Sequence, residues 1–562
     1  MRRRVTRLVV AIGLMSMVMT AVPASAAPVY QPVIAAPSVT AANGANLAPT
    51  PPMGFNNWAR YTCNLNEALF VATADRLVSS GLAANGYRTI TVDDCWMTGS
   101  RDAAGNLVTN SSRFPHGMKW LADYVHGKGL QFGIYEDAGT STCVGLPASW
   151  GHEQADANLF ASFGVDYVKL DGCNVPPEPG KTQEQTYHDV YAKWSQALAN
   201  TGRRMVFSES APAYFYIGVS DKRDWYKVLE WTPQYGQLWR EGDDMGLAEY
   251  SAATQWSTIV RNYDYNLPLA RFAGPNAWND PDFLIPGSGI TPDEARSQMS
   301  LWSMMAAPLI LSTDVTALGA AELAIVGNPD VVAVDQDPLG AQGTLVSRNG
   351  NTDILARQLA NGDRAVALFN RGGSSATIST TTATVGLPGG TGCTYAVKDL
   401  WTGQSSSGTT ISATVPAHGT AMFRVTPGAT CAGAQPTGQI TVTSGKCLDD
   451  TASGTTDGTP ITLYTCHGGA NQRFTFPGDG TARTLGKCLT AAGTTDGAAI
   501  TLSTCTGSAT QSWSYRRNGN LVNAASNKCL DVYGGATTTD GARLAVWVCG
   551  YNQHNQTWSL PS

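Results

Sequence analysis

The 562-residue sequence predicts three folded parts in a row: a (β/α)8 TIM barrel, an antiparallel β-sandwich and a β-trefoil. Three observations carry this. Short apolar runs alternate with amphipathic stretches from about residue 51 to residue 325. Beyond that point the composition shifts to Thr, Ser and Gly with the alternation of strands. A cysteine-bearing motif then recurs three times before the end of the chain.

Arg2, Arg3, Arg4 and Arg7 precede an apolar run over 8–22, and Ala24-Ser25-Ala26 has the small-x-small form of a cleavage site. Residues 1–26 therefore read as a secretory signal peptide, with the mature chain starting near Ala27. A transmembrane anchor is the competing reading, but the run is short for a span and lacks a charged stop-transfer flank. No other stretch has the length and apolarity of a span, so a secreted, extracellular product with no membrane partner is expected. Twelve cysteines in an exported chain read as disulfides rather than metal ligands. The seven His form no cluster with Cys, so neither metal nor cofactor is expected. Charged residues make up only 14% of the chain, with a net charge of −6 and no basic stripe, which excludes nucleic acid as a partner. Fifteen Trp and 20 Tyr suit sugar stacking as well as an ordinary core.

Residues 27–50, rich in Ala, Pro and Asn, read as a flexible lead-in. Over 51–325 the strand-like runs include 87–92, 130–135, 167–170, 205–208 and 309–312, with amphipathic stretches such as 66–80 and 117–128 between them. A doubly wound sheet is the alternative, but it usually carries a Gly-rich phosphate loop after its first strand, and none is present. Residues 326–426 read as the antiparallel β domain and 427–437 as a Gly/Ala/Pro/Thr linker. In 438–562, Lys-Cys-Leu recurs at Cys447, Cys488 and Cys529. Each copy continues through Thr-Asp-Gly to a second cysteine (Cys466, Cys505, Cys549) and then Gln-x-aromatic. Three such units, each with its own cysteine pair, make a pseudo-threefold trefoil. It resembles the ricin-B-type carbohydrate-binding module.

A barrel places its chemistry at the C-terminal ends of its strands. There the sequence sets Asp93-Asp94, Tyr135-Glu136-Asp137, Lys169 and Asp171, Glu209, Arg240 and Asp244, and Asp280-Pro281-Asp282. Acids, one Lys and one Arg among aromatics suit a sugar, since carboxylates accept from hydroxyls and cations donate to them. Two carboxyls suffice to hydrolyse a glycoside. A metal site at Asp93/Asp94 stays open as the alternative.

These stretches resemble the α-galactosidases of glycoside hydrolase family 27. The matching stretches are Pro51-Pro52-Met53-Gly54, Val92 to Trp96, Phe114 to Lys119, Gly133-Ile134-Tyr135, Lys169 to Cys173, Trp278 to Asp282 and Asp335 to Gly340. The resemblance implies a retaining, exo-acting α-galactosidase with Asp171 as nucleophile and Asp244 as acid/base, Asp243 being the one-residue alternative. It implies substrate binding by Asp93, Asp94, Tyr135, Lys169, Glu209, Arg240 and Asp282, and disulfides Cys63–Cys95 and Cys143–Cys173. Cys393 and Cys431 are left over and are expected to pair. Phe283 stands where the family usually has Met, and Ala213 is the smaller residue seen in α-N-acetylgalactosaminidases. An α-N-acetylgalactosaminidase, a β-L-arabinopyranosidase and a non-catalytic galactose-binding lectin are the alternatives. For the trefoil, the module type implies sugar sites at Asp449, Tyr464, Asn471 and Gln472 and at Asp531, Trp547, Asn555 and Gln556. Thr490 and Ser503 should leave the second copy weak. Two sites would hold a polysaccharide by avidity.

Overall fold

A computed structural model describes residues 46–216, 222–246, 251–387, 393–428, 431, 435–516, 519–550 and 553–561. The expected signal peptide and most of the expected lead-in lie outside the described residues. Among the described residues, no helix is long and apolar enough to cross a membrane.

Eight strands pair in parallel, neighbour to neighbour: β1 (Met53–Asn56), β2 (Thr89–Val92), β3 (Gln131–Asp137), β4 (Tyr167–Asp171), β5 (Val206–Glu209), β6 (Leu238–Arg240), β7 (Trp278–Asp280) and β8 (Leu309–Leu311). A parallel bridge from Leu284 to Leu311 draws β8 back to the β7 side. Alternation along each strand decides what faces where. Ile90, Val92, Ile134, Val168, Leu170, Phe207 and Trp239 are fully buried on the outer, helix-facing side. Each such side chain contributes about 1.5–3 kcal/mol of burial. Asn56, Thr91, Tyr167, Lys169, Ser208, Arg240, Asp280 and Ile310 line a common small void on the inner side. The outer helices start where the sequence caps them. Thr182 with Gln185 and Thr291 with Glu294 form capping boxes, and Asn66 and Ser251 accept from the first turn.

Eight further strands build the sandwich: β9 (Thr344–Asn349), β10 (Thr352–Gln358), β11 (Arg364–Asn370), β12 (Ala376–Thr381), β13 (Tyr395–Asp399), β14 (Ser405–Ser407), β15 (Thr410–Val415) and β16 (Thr420–Pro427). Six form one sheet in the order β14-β13-β16-β11-β10-β9, and β12 pairs with β15 in the other. It is fastened to the barrel by polar contacts. Asp264 pairs with both Arg348 and Arg371 at 2.8 and 2.7 Å, and Tyr263 donates to Asp353 at 2.9 Å.

The C-terminal part is all strand and short turns around a core that includes Phe474, Trp513 and Trp558. Its repeated Thr-Asp-Gly motif links consecutive copies. Asp457 of the first copy takes Lys487 (2.6 Å) and the Thr504 amide (2.7 Å) of the second. Asp496 of the second takes Lys528 and the Val548 amide of the third. Asp540 of the third returns to Lys446 (2.6 Å) and the Thr465 amide (2.7 Å) of the first. The trefoil rests on the barrel, where Ser559 donates to the Pro268 carbonyl at 2.7 Å.

Six disulfides are present: Cys63–Cys95, Cys143–Cys173, Cys393–Cys431, Cys447–Cys466, Cys488–Cys505 and Cys529–Cys549.

Candidate active site

The acids converge at the C-terminal mouth of the barrel, and strand register is what brings them there. Tyr135 lies opposite Lys169, and Asp137 opposite Asp171, across the β3–β4 ladder. All four project inward together.

Asp93 is held on both oxygens. Its Oδ2 accepts from Asn56 at 2.6 Å and from Lys169 at 2.8 Å, and its Oδ1 accepts the Asp94 amide at 2.9 Å. Burial works against the charge of Lys169, but Asp93 and Asp171 outweigh it and hold the ammonium pKa well above its ordinary value. Asp94 spends Oδ1 on the Cys95 amide at 2.6 Å, and its Oδ2 is buried with no protein partner. Burial pushes its pKa up to about 6, against the pull of the Cys95 amide. Cys95 takes a φ of 74°, a strained conformation of the kind that clusters at functional sites.

Asp171 closes β4. Its Oδ1 accepts from the Tyr214 hydroxyl at 2.6 Å and from the Gly172 amide at 3.0 Å. Tyr214 also lies 3.1 Å from the Cys173 sulfur, so the Cys143–Cys173 bridge borders Asp171. Asp137, fully buried, accepts the Cys173 amide at 2.9 Å and the Gly139 amide at 2.7 Å, which ties the two loops together. Asp137, Cys143, Asp171 and Cys173 offer donor atoms within 4.8 Å of one another, but both sulfurs are spent in a disulfide.

Arg240 organises the other wall. It reaches Asp244 and Asp282, each at 2.8 Å. Burial raises the Asp282 pKa to about 7 against the pull of Arg240. Asp244 stands at the rim with 71% of its side chain exposed. Desolvation raises a carboxyl, but the charges of Arg240 and Lys169 prevail and hold Asp244 below the usual carboxylate range. Its neighbour Asp243 turns away and pairs with Arg261.

Glu209 needs correcting. Ser208 faces the lumen, so the next residue on β5 faces out. Glu209 is fully buried behind the strand, where its carboxyl meets the Gly236 backbone and burial raises its pKa. It is not brought to the sugar side. The lumen-facing phase falls instead on Ser210, close to Ala213 and Tyr214. Tyr214 is the site residue that sequence reasoning missed. It sits on a four-residue helix, Ala213–Tyr216, with no strand pattern to mark it.

In the trefoil, the first and third copies bring their residues together and the second does not. Asp531 accepts from Asn555 at 2.8 Å and Gln556 at 2.7 Å, beneath the half-exposed rings of Tyr533 and Trp547. These groups line a pocket of about 560 Å3. In the first copy Asp449 accepts from Asn471 (3.1 Å) and Gln472 (2.8 Å), with Tyr464 exposed beside it and His467 also within 3.1 Å. In the second, no carboxylate stands in this place: the Gln511 amide nitrogen donates to the hydroxyl of Thr490, at 3.2 Å, and to the Thr504 carbonyl, at 2.9 Å, while its oxygen accepts the Thr506 amide at 2.8 Å.

Comparison with known proteins agrees with this arrangement. The family described as "Alpha galactosidase A" matches residues 50–337, "Alpha galactosidase C-terminal beta sandwich domain" matches 349–425, and "Ricin-type beta-trefoil lectin domain" matches 436–558. An alpha-galactosidase A from Aspergillus niger is 43% identical over 523 residues, covering 92% of each chain. An alpha-galactosidase from Cyamopsis tetragonoloba is 38% identical over 68% of this chain and 87% of its own. The crystal structure of alpha-galactosidase I from Mortierella vinacea superposes with a TM-score of 0.61 at 30% identity, over 67% of this chain and 97% of that one. With the ring of acids at the barrel mouth, the sandwich and the lectin-type trefoil in one polypeptide, the chain belongs to the α-galactosidases of glycoside hydrolase family 27.

Proposed function

We propose that residues 51–325 release terminal α-D-galactose with retention, Asp171 attacking the anomeric carbon and Asp244 handling the leaving-group proton. The observation that carries this is the state of Asp171: one oxygen is fixed by Tyr214 and Gly172, which leaves the other to attack. Attack by Asp171 forms a covalent galactosyl-enzyme while Asp244 protonates the departing oxygen. Asp244 then takes a proton from water, which displaces Asp171 from C1. Asp244 is held low in the free enzyme by Arg240 and Lys169. A bound sugar strips water from this exposed carboxyl and raises its proton affinity when the proton is needed. Asp93 and Lys169 suit one sugar hydroxyl, and the unpartnered Oδ2 of Asp94 suits the 6-hydroxyl that galactose has and arabinopyranose lacks.

A specific observation favours a second reading beside this one. With Glu209 turned outward, the lumen-facing phase of that turn falls on Ser210, beside Ala213 and Tyr214, and the small side chains of Ser210 and Ala213 suit a 2-acetamido group. We infer that α-N-acetylgalactosaminides are also turned over.

The tests share one experiment. Nitrophenyl glycosides of α-galactose, α-N-acetylgalactosamine and β-L-arabinopyranose are compared on the full chain and on Asp171→Asn. No turnover above the Asp171→Asn control would make the chain a lectin with a dead barrel. Preference for the arabinopyranoside would refute the role of Asp94. In the Asp244→Gly variant azide should restore turnover of an aryl galactoside with loss of the leaving group, giving α-galactosyl azide. Rescue in Asp243→Gly instead would move the acid/base by one residue.

We further propose that the chain is exported and that the trefoil tethers it to galactose-bearing polysaccharide. The Arg-rich start, the Ala-Ser-Ala motif and the six disulfides support export.

A further inference from the structure

Phe283 follows Asp282, whose φ of 74° lies in the left-handed region. A non-glycine residue persists there only when its surroundings over-determine it. Here they do. Trp302 donates to the Asp282 carbonyl at 2.7 Å, Gln298 donates to the Phe283 carbonyl at 3.0 Å, and Arg240 pairs with the Asp282 carboxylate at 2.8 Å. The held backbone delivers the Phe283 ring into the floor of the barrel. The ring borders the same void, about 10 Å3, as Lys169 and Arg240. Its centroid is 5.6 Å from the Lys169 ammonium and 5.9 Å from the Arg240 guanidinium. Tyr135 flanks Lys169 on another side, at 5.1 Å.

Two like charges buried side by side repel, and the charge of Arg240 does oppose the proton on Lys169. An aromatic face carries negative quadrupole density and attracts cations within about 6 Å, most strongly away from water. Phe283 is 6% exposed, so water screens neither contact well. A methionine at this place, usual in the family, has no such face.

We propose that Phe283 is a positioning residue, its ring shared by the two cations of the site. Lys169 continues to Asp93 on the sugar-gripping side, and Arg240 continues to Asp244 and Asp282 on the acid/base side. One ring therefore sets the spacing of both halves of the machinery without touching the reacting bond. This rests on the assignment of turnover to Asp171 and Asp244.

The test keeps the shape and drains the charge. In the full chain, Phe283 is replaced by its 4-fluoro, 3,5-difluoro and 3,4,5-trifluoro analogues, and kcat and KM for a nitrophenyl α-galactoside are measured across pH. The expected result is a stepwise fall in kcat/KM, about tenfold by the third fluorine. The alkaline limb should move up by several tenths of a pH unit, because a loosened Arg240 holds Asp244 less firmly in its ionised form. Phe283→Leu should lose at least as much. Melting temperatures should stay level across the fluorinated series. A flat series with an unmoved limb overturns the proposal, as does a falling melting temperature with unchanged kinetics, which would make the ring mere filling. A wild-type chain with no turnover would instead sink the functional reading on which this rests.

Discussion

Replacing Lys169 with Met removes a buried cation while keeping most of the stem volume. Lys169 and Asp93 are 8% and 1% exposed and meet at 2.8 Å. The variant leaves the Asp93 carboxylate in a lumen that already holds Asp94, Asp137 and Asp171. Breaking a buried pair in this way costs about 3–5 kcal/mol. Asn56 and the Asp94 amide still donate to Asp93, which places the cost toward the lower end. Activity should fall further than folding explains. A charged hydrogen bond to a sugar hydroxyl is worth about 1.5–3 kcal/mol, a loss of roughly 10- to 150-fold in kcat/KM. Denaturant unfolding and steady-state kinetics on Lys169→Met, Asp93→Asn and the double variant separate the two effects. The double variant has no stranded charge, so it should regain most of the stability and none of the turnover. Equal stability of wild type and Lys169→Met, or a double variant no firmer than the single one, would refute the reasoning.

Tyr214→Phe deletes the 2.6 Å donor to Asp171. The carboxylate then loses the bond that orients it, so kcat should fall about 10- to 100-fold with KM nearly level; an unchanged kcat would show that the hydroxyl does nothing for Asp171. Asp94, with a pKa raised to about 6, accepts best once ionised, so KM for galactosides should fall as pH climbs from 5 to 7. Asp94→Asn should flatten that slope, and a KM that rises over this range contradicts the role. In the trefoil, Trp547→Ala should abolish third-site binding of galactose by titration calorimetry, and Tyr464→Ala should weaken the first site. Substitution at Ser503 should change nothing, and galactose binding that survives loss of both rings would move the sites elsewhere.

The barrel and the acid ring were legible because both follow from alternation. Lys169 and Asp171 are two residues apart on one strand, so they must share a face, and the apolar residues between and before them must share the other. The same rule defeated the assignment of Glu209. A strand end read from sequence has no register, and one residue of phase carries a carboxylate from the pocket to the back of the sheet. Tyr214 was invisible for a different reason: a four-residue helix has no period to read. The Cys393–Cys431 bridge came only by elimination, since nothing local relates residues 38 apart. The Thr-Asp-Gly repeat was plain in the sequence but its use was not, because each Asp finds its Lys in the next copy, 30, 32 or 94 residues away.

Those three Asp–Lys contacts have a consequence for how the trefoil can be cut. Each copy grips its successor, and the last grips the first, so the set has no privileged beginning. The two chain ends of the module are already neighbours, since Thr441 and Val442 pair with Ser559 and Trp558. A circularly permuted module, its old ends fused and new ones opened in an outer turn of any copy, would keep every one of the three grips. Moving the opening from copy to copy would rotate the sugar pockets by a third of a revolution relative to the enzyme they serve, with no pocket residue altered.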